Sequence, residues 1–522
     1  MAKLMIDPVT RIEGHLGIEL DINEGKVTEA KTHSTLFRGF ERIVVGRDPR
    51  DAPIILQRIC GVCHTEHRLC SLRAIENAAG VTDEIPEQAK LIRNIIEAIT
   101  FMYSHGIHLY ALAGPDYSDG VAKTGLTRLN FLTGQGYREA VKAQRTLHEC
   151  LALLGGKAPH FMTACPGGVT LQPDAALITR VTTRVLEVKK WAVGRTFDPS
   201  DDAATNVPAV LENVLAEAEQ GSWKGPDPEL GNALYDLISM LAVAKLKFGA
   251  DKSGIGPGRY VAMGVFDKPG GGTYMPAGFY NGSSIEPFDE KNIIEDVKHS
   301  WYTAESGGMY VGDAPPLEPD YGKDVGYSWA KAPRYKGMSA EVGPLARLVS
   351  AGLDPLDLRK TLGGSATIGS TLTRNLARTQ EILWLIDSLE RWLLELKPGK
   401  KTAIDYNVPN SGFGVGLWEA PRGALSHWVE IEGGKTKRYQ VVAPTTWNVR
   451  PRDNNGNAGP IEDSLVNVKV PSSPVSSHFI KDAGMDPLYI LQAVRSFDPC
   501  LACTVHMTAP NRRKYSVKVE HF

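Results

Sequence analysis

Two Cys-x-x-Cys pairs stand near opposite ends of this chain: Arg58-Ile59-Cys60-Gly61-Val62-Cys63 and Asp498-Pro499-Cys500-Leu501-Ala502-Cys503. Each has a histidine about one turn further on, His67 and His506. One such pair is common. Two, split across nearly the whole chain, limit the fold severely, because a site built from both requires the chain to close on itself. The spacing lets two sulfurs from one turn converge on one ion, and Gly61 relaxes the backbone between the first pair.

Three chemistries compete. A redox dithiol at each pair needs a thioredoxin-like βαβ context, which neither pair has. A four-cysteine zinc site fits the spacing, but structural zinc usually organises a small local module. A chain of 522 residues buries a large core without such a staple. A catalytic transition-metal site would use soft thiolates to select nickel, iron or copper(I). The flanks favour the third: Arg58 and Asp498 can tune the charge and hydrogen bonding of a thiolate cluster, a service that structural zinc does not require. Cys70, Cys150 and Cys165 are left over and read as small buried hydrophobes.

Composition narrows the classes further. Apolar content of 42% and charged content of 23% are ordinary for a globular protein, and the net charge is 58 − 60 = −2. That balance gives no sign of nucleic acid or an anionic membrane as partner. No apolar run approaches the roughly 20 residues that span a bilayer. The N-terminus lacks the apolar stretch of a signal peptide, so export or membrane association is expected only through a partner, leaving cytoplasmic and periplasmic locations both open.

The pattern predicts a mainly α (α+β) protein, a large helical bundle with small antiparallel β pieces near both chain ends. Residues 16–31 and 427–442 read as hairpins. Three-and-four apolar spacing predicts helices over 87–112, 137–154, 174–192, 231–248 and 374–396, the last apolar nearly all round and hence buried. The stretches 195–229 and 254–335 are rich in Gly and Pro and read as long irregular excursions. The glycine runs at 254–258 and 412–416 lack a dinucleotide-binding context and read as turns.

The two cysteine motifs, with His67 and His506, resemble the signatures of nickel–iron hydrogenase large subunits. Further blocks match that family in order: Asp7-Pro8-Val9-Thr10-Arg11-Ile12-Glu13-Gly14-His15, Phe37-Arg38-Gly39-Phe40-Glu41, Gly155-Gly156-Lys157 with Pro159-His160, Glu419-Ala420-Pro421-Arg422-Gly423 and Pro444-Thr445-Thr446-Trp447-Asn448. The resemblance implies that fold as a single domain over 1–506. It implies a centre in which Cys60 and Cys500 bind nickel alone, while Cys63 and Cys503 bridge to an iron carrying carbonyl and cyanide. It implies reversible heterolytic cleavage of H2, with Glu13 taking the proton from Cys500 at a carboxyl that burial should raise. Arg422, Pro421 and Asp498 would form a canopy, Asp498 orienting Arg422, and His67 would donate to a cysteine sulfur. Glu41, His506 and the carbonyl of Val441 would hold Mg2+ (or Fe2+).

One departure lies in Tyr103-Ser104-His105-Gly106-Ile107-His108-Leu109-Tyr110, where Ser104 stands at a position commonly aspartate in the family; Arg422 would then keep only Asp498 as a carboxylate partner. Position 500 is cysteine, not selenocysteine. By the same resemblance, 507–522 is an extension removed after His506 by a maturation protease once insertion factors have loaded nickel. No other cysteine cluster can carry electrons, so an iron–sulfur small subunit is the expected partner. Two alternatives share the scaffold: a hydrogen sensor, and a non-catalytic homologue such as the hydrogenase-like subunit of respiratory complex I, which typically lacks the four cysteines.

Overall fold

The computed structural model describes residues 2–35, 38–194, 232–472 and 485–504. The expected excursion at 195–229, Phe37, His506 and the extension 507–522 lie outside the described residues.

The five expected helices all form. α1 (His64–Ala78) starts at the first cysteine motif. α2 (Glu87–Ile107), α3 (Gln135–Gly155), α4 (Ala175–Val193), α5 (Asn232–Phe248) and α7 (Thr371–Glu395) make the bundle, with the short α6 (Pro344–Ser350) beside α7. Their ends follow local chemistry. The Asp174 side chain accepts the Leu177 N–H at 2.7 Å to start α4. Ser370 and Thr373 close a reciprocal capping box at the start of α7. Beyond Ile107 the chain of α2 continues as a π-helical turn over His108–Ala113. Apolar faces of all these helices share one core. No helix among the described residues is long and apolar enough to cross a membrane.

α7 differs in part from its reading. Its apolar residues are buried as expected, except Trp384, which is half-buried, and Leu394, which is 78% exposed. Its first half is equally buried yet polar, carrying Arg374, Arg378 and Glu381.

β1 (Ala2–Ile6), β2 (Leu16–Asn23) and β3 (Lys26–Ser34) form an antiparallel sheet that contains the first expected hairpin. Its apolar face (Leu16, Ile18, Leu20) packs with Ile490 and Val494 of α8 (Leu488–Ser496), and with Phe497 just beyond it, in a second core. That packing brings the two chain ends together.

The region 254–335 is more ordered than its Gly and Pro content suggested. β4 (Tyr260–Asp267), β5 (Thr273–Tyr280) and β6 (Ile285–Glu286) form a three-stranded sheet, and β7 (Ile293–Asp296) pairs with β8 (Ala332–Tyr335). β4 is buried over Tyr260–Phe266, so its sequence shows no alternation, the signal by which a half-buried strand is read. β pieces therefore occur mid-chain as well as near both ends.

The second hairpin, β10 (Gly423–Glu432) with β11 (Lys435–Val442), gains a third strand, β9 (Ser411–Ala420). This corrects the reading of 412–416 as a turn. Gly412, Gly414 and Gly416 face α1, and a Cβ on any of them would drive into the carbonyls of Ala78, Ala74 and Cys70. The glycines let a helix lie directly on a strand. Gly414→Ala is expected to lower stability by about 1–3 kcal/mol or more. Phe413→Ala, whose ring is 46% exposed, should change the denaturation midpoint little. Equal effects from the two substitutions would refute the close approach.

Candidate metal centre and its canopy

The N-terminal segment lies against the C-terminal motif as a one-residue parallel bridge between Glu13 and Cys500. The Glu13 N–H donates to Pro499 O at 3.3 Å, and the Leu501 N–H donates to Glu13 O at 2.9 Å. Gly14 makes this possible: its φ is +79°, and a Cβ there would sit 2.8 Å from Leu501 Cβ. Arg495 reinforces the seam, donating to Thr10 O at 3.0 Å and to Asp116 Oδ1 at 2.7 Å. Arg11 also pairs with Asp116. The Thr445 hydroxyl accepts the Cys500 N–H at 3.0 Å, which gives part of the block 444–448 a positioning role.

The result is one cluster. The four sulfurs of Cys60, Cys63, Cys500 and Cys503 lie within 4.8 Å of one another, all buried. Cys60 Sγ is 3.3 Å from Cys500 Sγ, and Cys500 Sγ is 3.2 Å from Cys503 Sγ. All seven cysteines are free, and the two pairs converge on one group rather than standing as separate dithiols. Cys60 is held well below the usual thiol range by hydrogen bonds from Cys500, Cys503 and Cys63, and it also accepts the N–H of Val62 at 3.2 Å. Burial pushes Cys500 and Cys503 far up. Four converging sulfurs of which one ionises readily by itself form a donor set that a cation would complete, since metal binding deprotonates thiols outright. Soft donors in this number suit nickel and iron. Cys70 and Cys150 are buried away from the cluster and Cys165 is half-buried; Cys70 donates to Gly416 O at 3.2 Å.

Glu13 reaches the cluster directly. Its Oε2 accepts from Cys500 Sγ at 3.1 Å and from the Ala502 N–H at 2.9 Å. Burial raises its carboxyl, and the nearby Cys60 charge raises it further, as expected. Arg422 lies over the sulfurs, donating to Cys63 Sγ at 3.2 Å and, at a long 3.4 Å, to the Ser104 hydroxyl. Its Nη2 donates to Asp498 Oδ1 and its Nε to Asp498 O, both at 2.9 Å. Burial would raise Asp498, but Arg422 outweighs it and holds the carboxyl below the usual range. Asp498 is thus the carboxylate partner of Arg422 among the described residues.

His67 does not donate to a cysteine sulfur. Its Nδ1 meets His427 Nε2 at 3.2 Å, His427 Nδ1 meets the Tyr439 hydroxyl at 2.9 Å, and that hydroxyl donates to Ser71 at 2.9 Å. The tautomers that satisfy this chain put the His67 proton on Nδ1 and a lone pair on Nε2. Nε2 is buried without a partner among the described residues, and burial lowers the ring to about 4. Arg58 is exposed and is no close partner of the thiolates. The arginine that ties the two motifs together is Arg38, which donates to the carbonyls of Ile59 and Ala502. It stands in a block matched by resemblance, but nothing in its spacing announced the contact.

Two buried carboxyls beside the cluster also escaped the sequence reading. Burial raises Glu66 to about 8 and Glu97 well above its usual value. At neutral pH they therefore add little negative charge next to the thiolates. A separate position is set by Glu41, whose Oε1 accepts the Val441 N–H at 2.9 Å while its Oε2 is buried without a partner among the described residues. Burial pushes this carboxyl to about 7. A buried oxygen with nothing to bond fits a hard cation; the expected third ligand, His506, lies outside the described residues.

The chain as a whole is similar to known proteins. A family model described as nickel-dependent hydrogenase matches residues 38–128 and 233–506, and one described as HoxL-like matches residues 3–37. The chain is 34% identical to the periplasmic [NiFeSe] hydrogenase large subunit of Desulfomicrobium baculatum, covering 97% of this chain and 95% of the relative. It is 32% identical to the hydrogenase-2 large chain of Escherichia coli K12, covering 99% of each. Its fold superimposes on the Ni-Fe-Se hydrogenase of Desulfovibrio vulgaris Hildenborough in the reduced state with a TM-score of 0.80 at 32% identity, covering 97% of this chain and 100% of that one. With four buried cysteines gathered for metal from both ends of a chain matched almost throughout, this protein belongs to the large, catalytic subunits of the nickel–iron hydrogenases and is an oxidoreductase that activates hydrogen.

Proposed function

We propose that this chain cleaves H2 heterolytically and reversibly, with Glu13 exchanging the proton with Cys500 and the electrons leaving to an iron–sulfur small subunit. Cys60, Cys63, Cys500 and Cys503 would hold nickel and iron, Cys60 and Cys500 on nickel alone and Cys63 and Cys503 shared. When bound, that pair, with carbonyl and cyanide on the iron, supplies the Lewis acidity and redox capacity that splitting H2 demands.

The observation that carries the reading is the 3.1 Å contact between Glu13 Oε2 and Cys500 Sγ. A proton donor and acceptor at that distance need no movement to exchange, and a carboxyl raised by burial lies closer in pKa to a metal-held thiol than an exposed one does. Glu13 is only half-buried, so it can pass the proton outward. Arg422 cannot serve as the base, because a guanidinium stays charged. It donates to Cys63 and shapes the field over the sulfurs, with Asp498 as its counter-charge.

No second cluster of metal-ligating side chains is present among the described residues, which supports a partner as the electron carrier. Glu41, the Val441 carbonyl and His506 would hold Mg2+ (or Fe2+) near the C-terminus.

Elemental analysis of the chain purified with its partner should find nickel in equimolar amount and iron beyond the partner's clusters; zinc alone would reject the reading. Glu13→Gln keeps an oxygen for the Ala502 N–H. It is expected to cut H2 oxidation by about 10²–10⁴-fold with metal content unchanged, and undiminished turnover in a fully loaded variant would remove Glu13 from the proton path. Arg38→Ala strands two carbonyls at the seam and should weaken metal retention by about 10–100-fold. Arg58→Ala should leave metal content intact, and the opposite ranking would show that the seam is held elsewhere.

A further inference from the structure

On the cluster side Arg422 holds Asp498 and, at 3.2 Å, Cys63 Sγ, while its contact with Ser104 is long. Its height over the sulfurs therefore depends on what fixes its backbone and the wall opposite. The peptide leading into Arg422 ends in the Pro421 carbonyl, which accepts from Arg347 Nη2 at 3.1 Å. Arg347 lies on α6, and an arginine has five N–H donors. Here every one is used. Nη1 donates to Ala420 O at 2.7 Å and to Glu419 Oε2 at 2.8 Å. Nε and Nη2 grip Glu381 Oε1 and Oε2, each at 2.7 Å. Glu381 Oε2 also meets His105 Nε2 at 2.8 Å, and His105 is the neighbour of Ser104 on α2. Arg347, Glu381 and His105 are all fully buried. Burial would raise Glu381, but Arg347 and then His105 hold it down to about 2, so it stays ionised.

We propose that Glu381 is a positioning residue for catalysis: from one carboxylate on α7 it fixes both walls of the canopy, the turn between β9 and β10 that carries Arg422 through Arg347 and the helix that carries Ser104 through His105. The inference rests on the hydrogenase reading and deepens it. A network that served only folding would lose stability and metal when disturbed. A positioning network instead shifts the guanidinium relative to Cys63 in an enzyme that is still loaded. Replacing Arg347 with lysine keeps the charge but loses the planar fork that reaches two carbonyls and two carboxylates at once.

The test uses the holoenzyme with its partner subunit, in the wild type, Arg347→Lys, Arg422→Lys and the double variant. H2 oxidation, nickel content and the infrared bands of the diatomic ligands on iron are measured in each. Arg347→Lys is expected to retain nickel, shift the infrared bands and lower turnover by about 10–100-fold. The double variant should be no slower than Arg422→Lys, because one residue acts through the other. Losses that multiply in the double variant, or unshifted bands, overturn the proposal. Should Arg347→Lys fail to load nickel, His105→Phe removes only the donor to Glu381; loaded His105→Phe enzyme with shifted bands supports positioning, and unshifted bands reject it. Failure of both variants to load assigns the network to folding and also rejects it. A nickel-loaded wild type that neither oxidises nor exchanges H2 would sink the hydrogenase reading itself, whatever the variants do.

Discussion

The pairing of Glu13 with the segment 499–501 is the constraint on which the rest depends. Two backbone hydrogen bonds and a glycine at positive φ press the chain start against residues 499–501. This places the carboxyl of Glu13 on Cys500 and the second sulfur pair beside the first. Two hydrogen bonds at roughly 1 kcal/mol each could not hold such a seam by themselves. The apolar face of the first sheet, packed on Ile490, Val494 and Phe497, supplies the larger share, and Arg495 and Arg38 add charged donors across it. A metal bound by sulfurs from both sides would lock it, since binding energy for a site assembled only in the fold adds to folding.

Around the seam the interior is unusually rich in buried charge. Removing one partner from such a network is costly, whereas well-packed apolar replacements are often neutral, so buried ion pairs are weak grounds for a stability role. Their arrangement has a clearer reading as field and geometry. Asp498 neutralises Arg422, and Glu381 neutralises Arg347. Burial raises Glu66 and Glu97, so they add little further negative charge beside the thiolates to which Arg422 donates. A site that gathers negative sulfur needs such a balance if its protons are to move near neutral pH.

Much of the fold was legible in the sequence. Ile92, Ile95, Ile96 and Ile99 announced α2 by period, and the two hairpins announced themselves by alternation around short turns. The strands that escaped did so for stated reasons. β4 is buried on both faces and so does not alternate, and β9 carries glycines where α1 touches it. The polar half of α7 escaped as well, because a buried Arg374, Arg378 or Glu381 looks like a solvated face until its partners are known.

By itself the sequence determined the chemistry on offer: two sulfur pairs in a chain with no other cluster of soft ligands, a carboxyl at Glu13, an arginine and a carboxylate in motifs that match those of nickel–iron hydrogenases. Residue type and local spacing suffice for that, because ligand softness and the reach of one turn are short-range properties. Only the tertiary structure decided which flanking groups act. It sent Arg58 to solvent and Arg38 to the seam, turned His67 toward His427 rather than a sulfur, and set Glu381 behind both walls of the canopy. Those outcomes depend on contacts between segments far apart in the chain, where burial and the count of available donors, not periodicity, choose each partner.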